Sequence, residues 1–196
     1  MKTESRLDVR QITGLDTLVG KIGGIRDFPK FMAAVTATPE GCTVVLDWSA
    51  IELATASYFG ETVLPLLKMS TAGLLDRYFL LLGLNQNSLD EMKLVIEFNE
   101  LVVLVGDAAR ANSVRNVRLL GRLDSPYFET LEAIKASRSA SASTLHREHH
   151  KKPMQIGKTG WANRLAHLSR MRLVRKQRVG RELVFQPVYG GDQNGR

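Results

Sequence analysis

Ten polar residues near the end of this 196-residue chain carry side chains that could act on a polyanion. Lys158, Thr159, Asn163, Arg164, His167 and Arg170 share one short stretch, and Arg175, Lys176, Arg178 and Arg181 follow it. Lys and Arg neutralise phosphates and release their counterions, which makes such binding salt-dependent. Arg and Asn can also make paired hydrogen bonds to base edges, Arg to guanine and Asn to adenine. Together these types suit a nucleic-acid backbone and, if a helix presents them on one side, a base-reading face.

The surrounding pattern supplies that helix. Residues 157–171 read as helical, with Ala162, Leu165 and Leu168 spaced three and four apart as an inward stripe and Trp161 beside them. Asn163, Arg164, His167 and Arg170 then point the other way, while Lys158 and Thr159 sit at the N-terminal end. Helix N-termini also offer free backbone N–H groups to phosphate. Leu173 and Val174 begin a first β-like run, and Leu183, Phe185 and Val188 alternate on a second. Arg178 and Arg181 flank Gly180 at the turn between them, with Arg175 and Lys176 on the ascending arm.

Upstream, Ser125 is expected to cap a helix with Pro126 at its first position and Phe128, Leu131 and Ile134 as its apolar stripe. The small polar run 137–143, SRSASAS, suits a turn, and residues 143–150 suit a second short helix ended by Lys151, Lys152 and Pro153. The order is therefore helix, helix, helix, hairpin.

Charge divides the chain in the same way. Residues 1–122 carry 13 Lys+Arg against 14 Asp+Glu, whereas residues 123–196 carry 14 against 6. A net of +8 on the second part, beside −1 on the first, points to two jobs and to a polyanion as partner of the second. Two domains are expected, residues 1–122 and 123–190, with residues 191–196 (GDQNGR) as a disordered tail.

In the first part, residues 6–12 suit a strand, and the glycines at 14, 20, 23 and 24 predict mostly loop over residues 15–25. Pro29 then suits the first turn of a short helix over residues 29–37. The β-branched run 42–48, CTVVLDW, predicts a central strand buried on both faces. Residues 54–69 predict a helix with Phe59, Val63, Leu66 and Leu67 inward and a kink at Pro65. Residues 77–84 predict another buried strand. Ser88 with Glu91 reads as a capping box for a helix carrying Leu89, Met92, Val95 and Ile96, and residues 101–105 predict a further strand. Strands alternating with helices predict an α/β domain with a mixed sheet.

Residues 44–67, VVLDWSAIELATASYFGETVLPLL, resemble the strand, loop and helix of STAS-like domains, the fold of anti-sigma-factor antagonists. Asp47, Ser57, Tyr58 and Glu61 fall on that pattern. The resemblance implies a STAS-like mixed sheet with helices, and a sensory or partner-binding role. Where phospho-regulated members open the helix with an Asp-Ser pair, this chain reads Thr55 and Ala56. Thr55 and Ser57 are then the hydroxyls left for a regulatory phosphoryl group, and from the residues alone they read as helix caps. Residues 162–187 resemble the winged helix-turn-helix domain of bacterial transcription regulators: A-N-R-L, then L-V, R-K, a V-G-R turn and E-L-V-F-Q-P follow that family's order. This implies a mainly-α second domain whose third helix enters the major groove of double-stranded DNA while the hairpin contacts the backbone or the minor groove. Dimerisation would suit paired half-sites.

Other chemistry finds little support. Gly157-Lys158-Thr159 lacks the glycine a phosphate-binding loop needs five residues before Gly157, where Lys152 stands. His146, His149 and His150 have no Cys or acidic cluster beside them and read as a solvated helix end rather than a metal site. Asp47 has no partner at catalytic spacing, so no enzyme and no cofactor are expected. Cys42 lies in an apolar run, where a buried thiol is expected. The opening MKTESRLDVR has no apolar run after its charges, and no apolar stretch approaches a membrane span, so a cytoplasmic protein is expected. The readings that remain are a DNA-binding transcription regulator and a protein-interaction switch that never touches DNA.

Overall fold

The structure is a computed structural model that describes residues 4–109, 113–149 and 156–189. The residues expected to form a tail (191–196) lie outside that set, as do His150, Lys151, Lys152 and Pro153. The chain divides into two compact units, Met1–Arg122 and Leu123–Arg196.

The first unit is mixed α/β. Strand β1 (Glu4–Asp8) is shorter than residues 6–12 suggested, because Asp8 turns to cap α1 (Val9–Thr13), its carboxylate accepting from the Arg10 and Gln11 N–H groups. The two-residue strand β2 (Thr17–Leu18) precedes α2 (Lys21–Thr36). The last part of the expected loop, residues 21–25, is thus the start of a long helix that has Pro29 inside it rather than at its first turn. Of the two glycines inside it, Gly24 serves close contact. A Cβ on Gly24 would lie 2.8 Å from Glu61 Cβ and 2.9 Å from the Tyr58 carbonyl oxygen.

Strand β3 (Thr43–Asp47) is followed by β4 (Leu53–Ala54), α3 (Ala56–Glu61) and α4 (Val63–Thr71). The expected single helix over 54–69 breaks at Thr62. Pro65, in the first turn of α4, has no N–H for the Glu61 carbonyl, and its ring would crowd that group in a continuous helix. Then come β5 (Tyr78–Leu82), α5 (Gln86–Phe98), β6 (Val102–Ala108) and β7 (Val114–Gly121). The five-stranded sheet has the order β1-β3-β5-β6-β7, parallel except for the antiparallel edge strand β7. Val44, Leu46, Phe79, Leu81, Val103 and Val105 belong to one buried cluster with Phe31, Phe59, Leu66 and Met92 from the helices. Alternate residues Val45, Leu80 and Leu104 are buried as well, so β3 is covered along both faces as its unbroken apolar run suggested.

Two polar clusters sit within this unit. The Asp27 carboxylate on α2 has no exposed surface and accepts from the Tyr58 hydroxyl at 3.1 Å, Lys30 Nζ at 2.9 Å and the Arg26 guanidinium at 3.0 Å. Burial pushes this carboxyl up, but the three donors outweigh it and hold it below its ordinary value. Tyr58 moves the other way: burial first, then the neighbouring Asp27 charge, push the phenol well above its ordinary value. Asp47 spends its oxygens on Arg6, at 2.7 and 2.9 Å, and on the Ser49 amide and hydroxyl. These bonds outweigh its burial and keep it ionised.

The second unit contains α6 (Ser125–Ser137), β8 (Ala140–Ser141), α7 (Ala142–His149), α8 (Lys158–Arg170), β9 (Val174–Val179) and β10 (Glu182–Pro187). Its three-stranded sheet has the order β8-β10-β9, and the stretch expected to be only a turn supplies β8. Leu131, Ile134, Leu145, Trp161, Leu165, Leu168, Val174 and Phe185 are buried.

Candidate nucleic-acid interface

The positions of the ten polar residues follow from how α8 packs. The N-cap position of α6 is Asp124 rather than Ser125, with Pro126 in the first turn, and the helix buries Leu131 and Ile134. Phe128, expected in that stripe, is instead 48% exposed. Helices α6 and α7 both pack on α8. On α8 the buried residues are Trp161, Leu165 and Leu168, whereas Ala162 is exposed. The stripe is therefore centred on the indole, which rotates the outward face from the one read from the sequence.

That rotation sorts the expected residues into two groups. Lys158, Thr159, Asn163 and Arg170 are exposed, together with Ala162 and Ala166. Arg164 and His167 turn back onto the unit's own helices. The Arg164 guanidinium lies over the Trp161 ring at 5.5 Å and donates to the Pro126 carbonyl at 3.4 Å. The His167 ring stacks on Tyr127 with centroids 4.0 Å apart. The bond to Pro126 and the stacked imidazole both help fix α6 against α8, while the cation over the indole is a contact within α8 itself.

The hairpin presents the remaining four. Lys176 pairs with Phe185 and Arg178 with Leu183, so both basic residues project from the face that also carries buried Val174. Lys176 and Arg178 lie beyond that buried part and are exposed, while Arg175 projects from the opposite face and is half-buried. Gly180 and Arg181 make the two-residue turn between Val179 and Glu182. Gly180 takes a φ of 61°, which glycine adopts at no steric cost and which matches the twist of a tight hairpin. Arg181 is exposed beside it, with Val179 and Leu183 as exposed apolar neighbours.

The other residues singled out lie in the first unit. The Thr55 hydroxyl accepts from the Gly20 amide at 3.2 Å and is 3.1 Å from the Ser57 hydroxyl. Neither makes a side-chain cap bond to α3. That task falls to Glu91, read with Ser88 as a capping box for the next helix, while Ser88 bonds the end of β4. Glu91 accepts from the Ala56 N–H at 2.6 Å, and Ser88 accepts from the Ala54 N–H at 3.0 Å. Helix α5 is capped by Asn85, which accepts from the Ser88 N–H. Of the two hydroxyls, Ser57 is exposed and Thr55 half-buried.

His146 Nδ1 is 3.2 Å from the Ile156 carbonyl oxygen, and His149 lies against Trp161. Among the described residues no three His, Cys, Asp or Glu side chains gather as a metal site. No helix among them is long and apolar enough to cross a membrane. No family model, no curated protein and no solved structure matches the chain.

Proposed function

We propose that the chain is a DNA-binding transcription regulator of the STAS-like and winged-helix type. In this reading the second unit grips double-stranded DNA and the first binds a signal or a protein partner. The observation that carries it is the set of exposed cations Lys158, Arg170, Lys176, Arg178 and Arg181, spread over α8 and the hairpin tip. Between residues 133 and 188 only Glu148 and Glu182 oppose 13 basic residues, an imbalance that serves a polyanion better than ordinary solvation. Helix α8 would lie in the major groove and the hairpin on the phosphates. Two copies bound side by side would match paired half-sites.

A second reading, a protein-interaction switch, draws on the first unit. Val19, Ile22 and Ile25 are exposed at 49%, 85% and 53% around the start of α2, whose Gly20 bonds to Thr55. Exposed apolar side chains beside modifiable hydroxyls suit a protein partner.

Retention of duplex fragments drawn from a genome, measured by gel shift at about 150 mM salt, separates the two. The regulator reading expects particular fragments to be retained. No retention, or retention only at low salt, favours the switch.

A further inference from the structure

The outward face of α8 is narrower and less charged than its sequence suggests. At about 100° per residue, Thr159, Asn163, Ala166 and Arg170 fall within a strip roughly 60° wide, directly opposite Trp161, Leu165 and Leu168. Ala162 borders the strip and is also exposed. Arg164, the residue best suited to guanine, is held over Trp161 and against the Pro126 carbonyl. The face thus offers one amide, one hydroxyl with a methyl, and two alanine methyls, with a single arginine in the last turn.

We infer that α8 reads a DNA step built from adenine and thymine, through Asn163 on adenine and the methyls of Ala162, Ala166 and Thr159 on thymine. The chemistry is direct. A carboxamide can bond both N6 and N7 of adenine, and small methyl-bearing side chains contact the C5-methyl of thymine, a group no other base carries in the major groove. A base-reading helix uses mainly its N-terminal residues, which here include Thr159, Ala162 and Asn163, with Ala166 one turn further on, and leaves Arg170 to the backbone. The inference rests on the DNA-binding reading and adds the class of sequence selected. It also departs from the expectation that Arg164 reads a base.

The test uses the full chain and duplexes selected from a random library at about 150 mM salt. Selected sites should share an A·T core. Replacing one thymine in it by uracil, which removes only the methyl, should weaken binding several-fold. Replacing one adenine by 7-deazaadenine, which removes one of the two bonds of a bidentate contact, should weaken binding by about 2- to 10-fold. With Asn163→Ala, an exposed substitution, the deazaadenine loss should vanish, while Arg164→Ala should leave the selected sequence unchanged. Three results would overturn the inference while leaving DNA binding intact: selection of G·C steps, indifference to uracil, or duplex binding with no selection. If no duplex is retained, the DNA-binding reading falls, and this inference with it.

Discussion

Asp27 and Tyr58 form a pair that neither charge pattern nor hydrophobic spacing announces. The carboxylate is fully buried, yet two of its donors, Arg26 and Lys30, are surface side chains, so its removal strands only the Tyr58 hydroxyl in the interior. Asp27→Ala should therefore cost about 1–3 kcal/mol in urea unfolding, the usual penalty of one buried polar group left without its partner. The pH dependence has two limbs. The Asp27 carboxyl is lowered in the folded state, so its contribution is complete above its ordinary value of 3.8 and is lost as pH falls below it. The Tyr58 phenol is raised, so its contribution is complete below its ordinary value of 10.0 and is lost as pH rises above it. Absorbance titration of the phenols should show one that resists ionisation in the folded protein and titrates normally in urea. Ordinary titration in both would remove the pair from the account. At this scale the sequence was legible by type more than by direction. The basic and amide residues of α8 stand out in it, but a stripe that included Ala162 and left Trp161 beside it turned Arg164 and His167 outward. Only the packing of Tyr127 and Pro126 against them shows otherwise.

Among the elements, β3, β5 and β6 were legible because each is an unbroken apolar run, which a strand buried on both sides requires. β7 was not. Its residues Arg115, Asn116 and Arg118 are exposed, and an edge strand with one open face has no such run. The helix expected over residues 29–37 is the second half of α2; its start was missed because Gly23 and Gly24 lower helix propensity, and what offsets this is tertiary: Gly24 lets α2 approach the backbone of α3. Gly24→Ala should consequently destabilise the fold by about 1–3 kcal/mol through overpacking. Gly23 offers the control, since a Cβ there would meet the Tyr58 ring at an ordinary 3.6 Å. Gly23→Ala should be neutral or stabilising by up to about 1 kcal/mol through helix propensity. Equal losses in the two variants, read from urea midpoints, would show that close approach is not what the second glycine serves. The capping box of Ser88 and Glu91 was misplaced for a similar reason: its residue types are right for capping, but the N–H groups they satisfy belong to a segment more than thirty positions away.

Across the whole molecule, the division of charge is what links fold to proposed function. The first unit is close to neutral and carries the larger apolar core. The second concentrates a net +8 on a small mixed unit whose outer helix face and hairpin tip are open. If that charge meets phosphates, affinity must fall with salt, and removing exposed cations must flatten the fall. Arg178 and Arg181 are suited to the test because both are exposed on the far end of the hairpin, away from the buried residues Val174 and Phe185. The decisive measurement is the affinity of the full chain for a duplex across a range of salt, compared with the Arg178→Ala, Arg181→Ala double variant. DNA binding through these cations predicts a steep linear fall of log K with log salt, with a slope shallower by about 0.9 for each phosphate contact the variant loses. An unchanged slope and affinity in the variant would contradict the hairpin's role, and no duplex binding at about 150 mM salt would contradict the central claim.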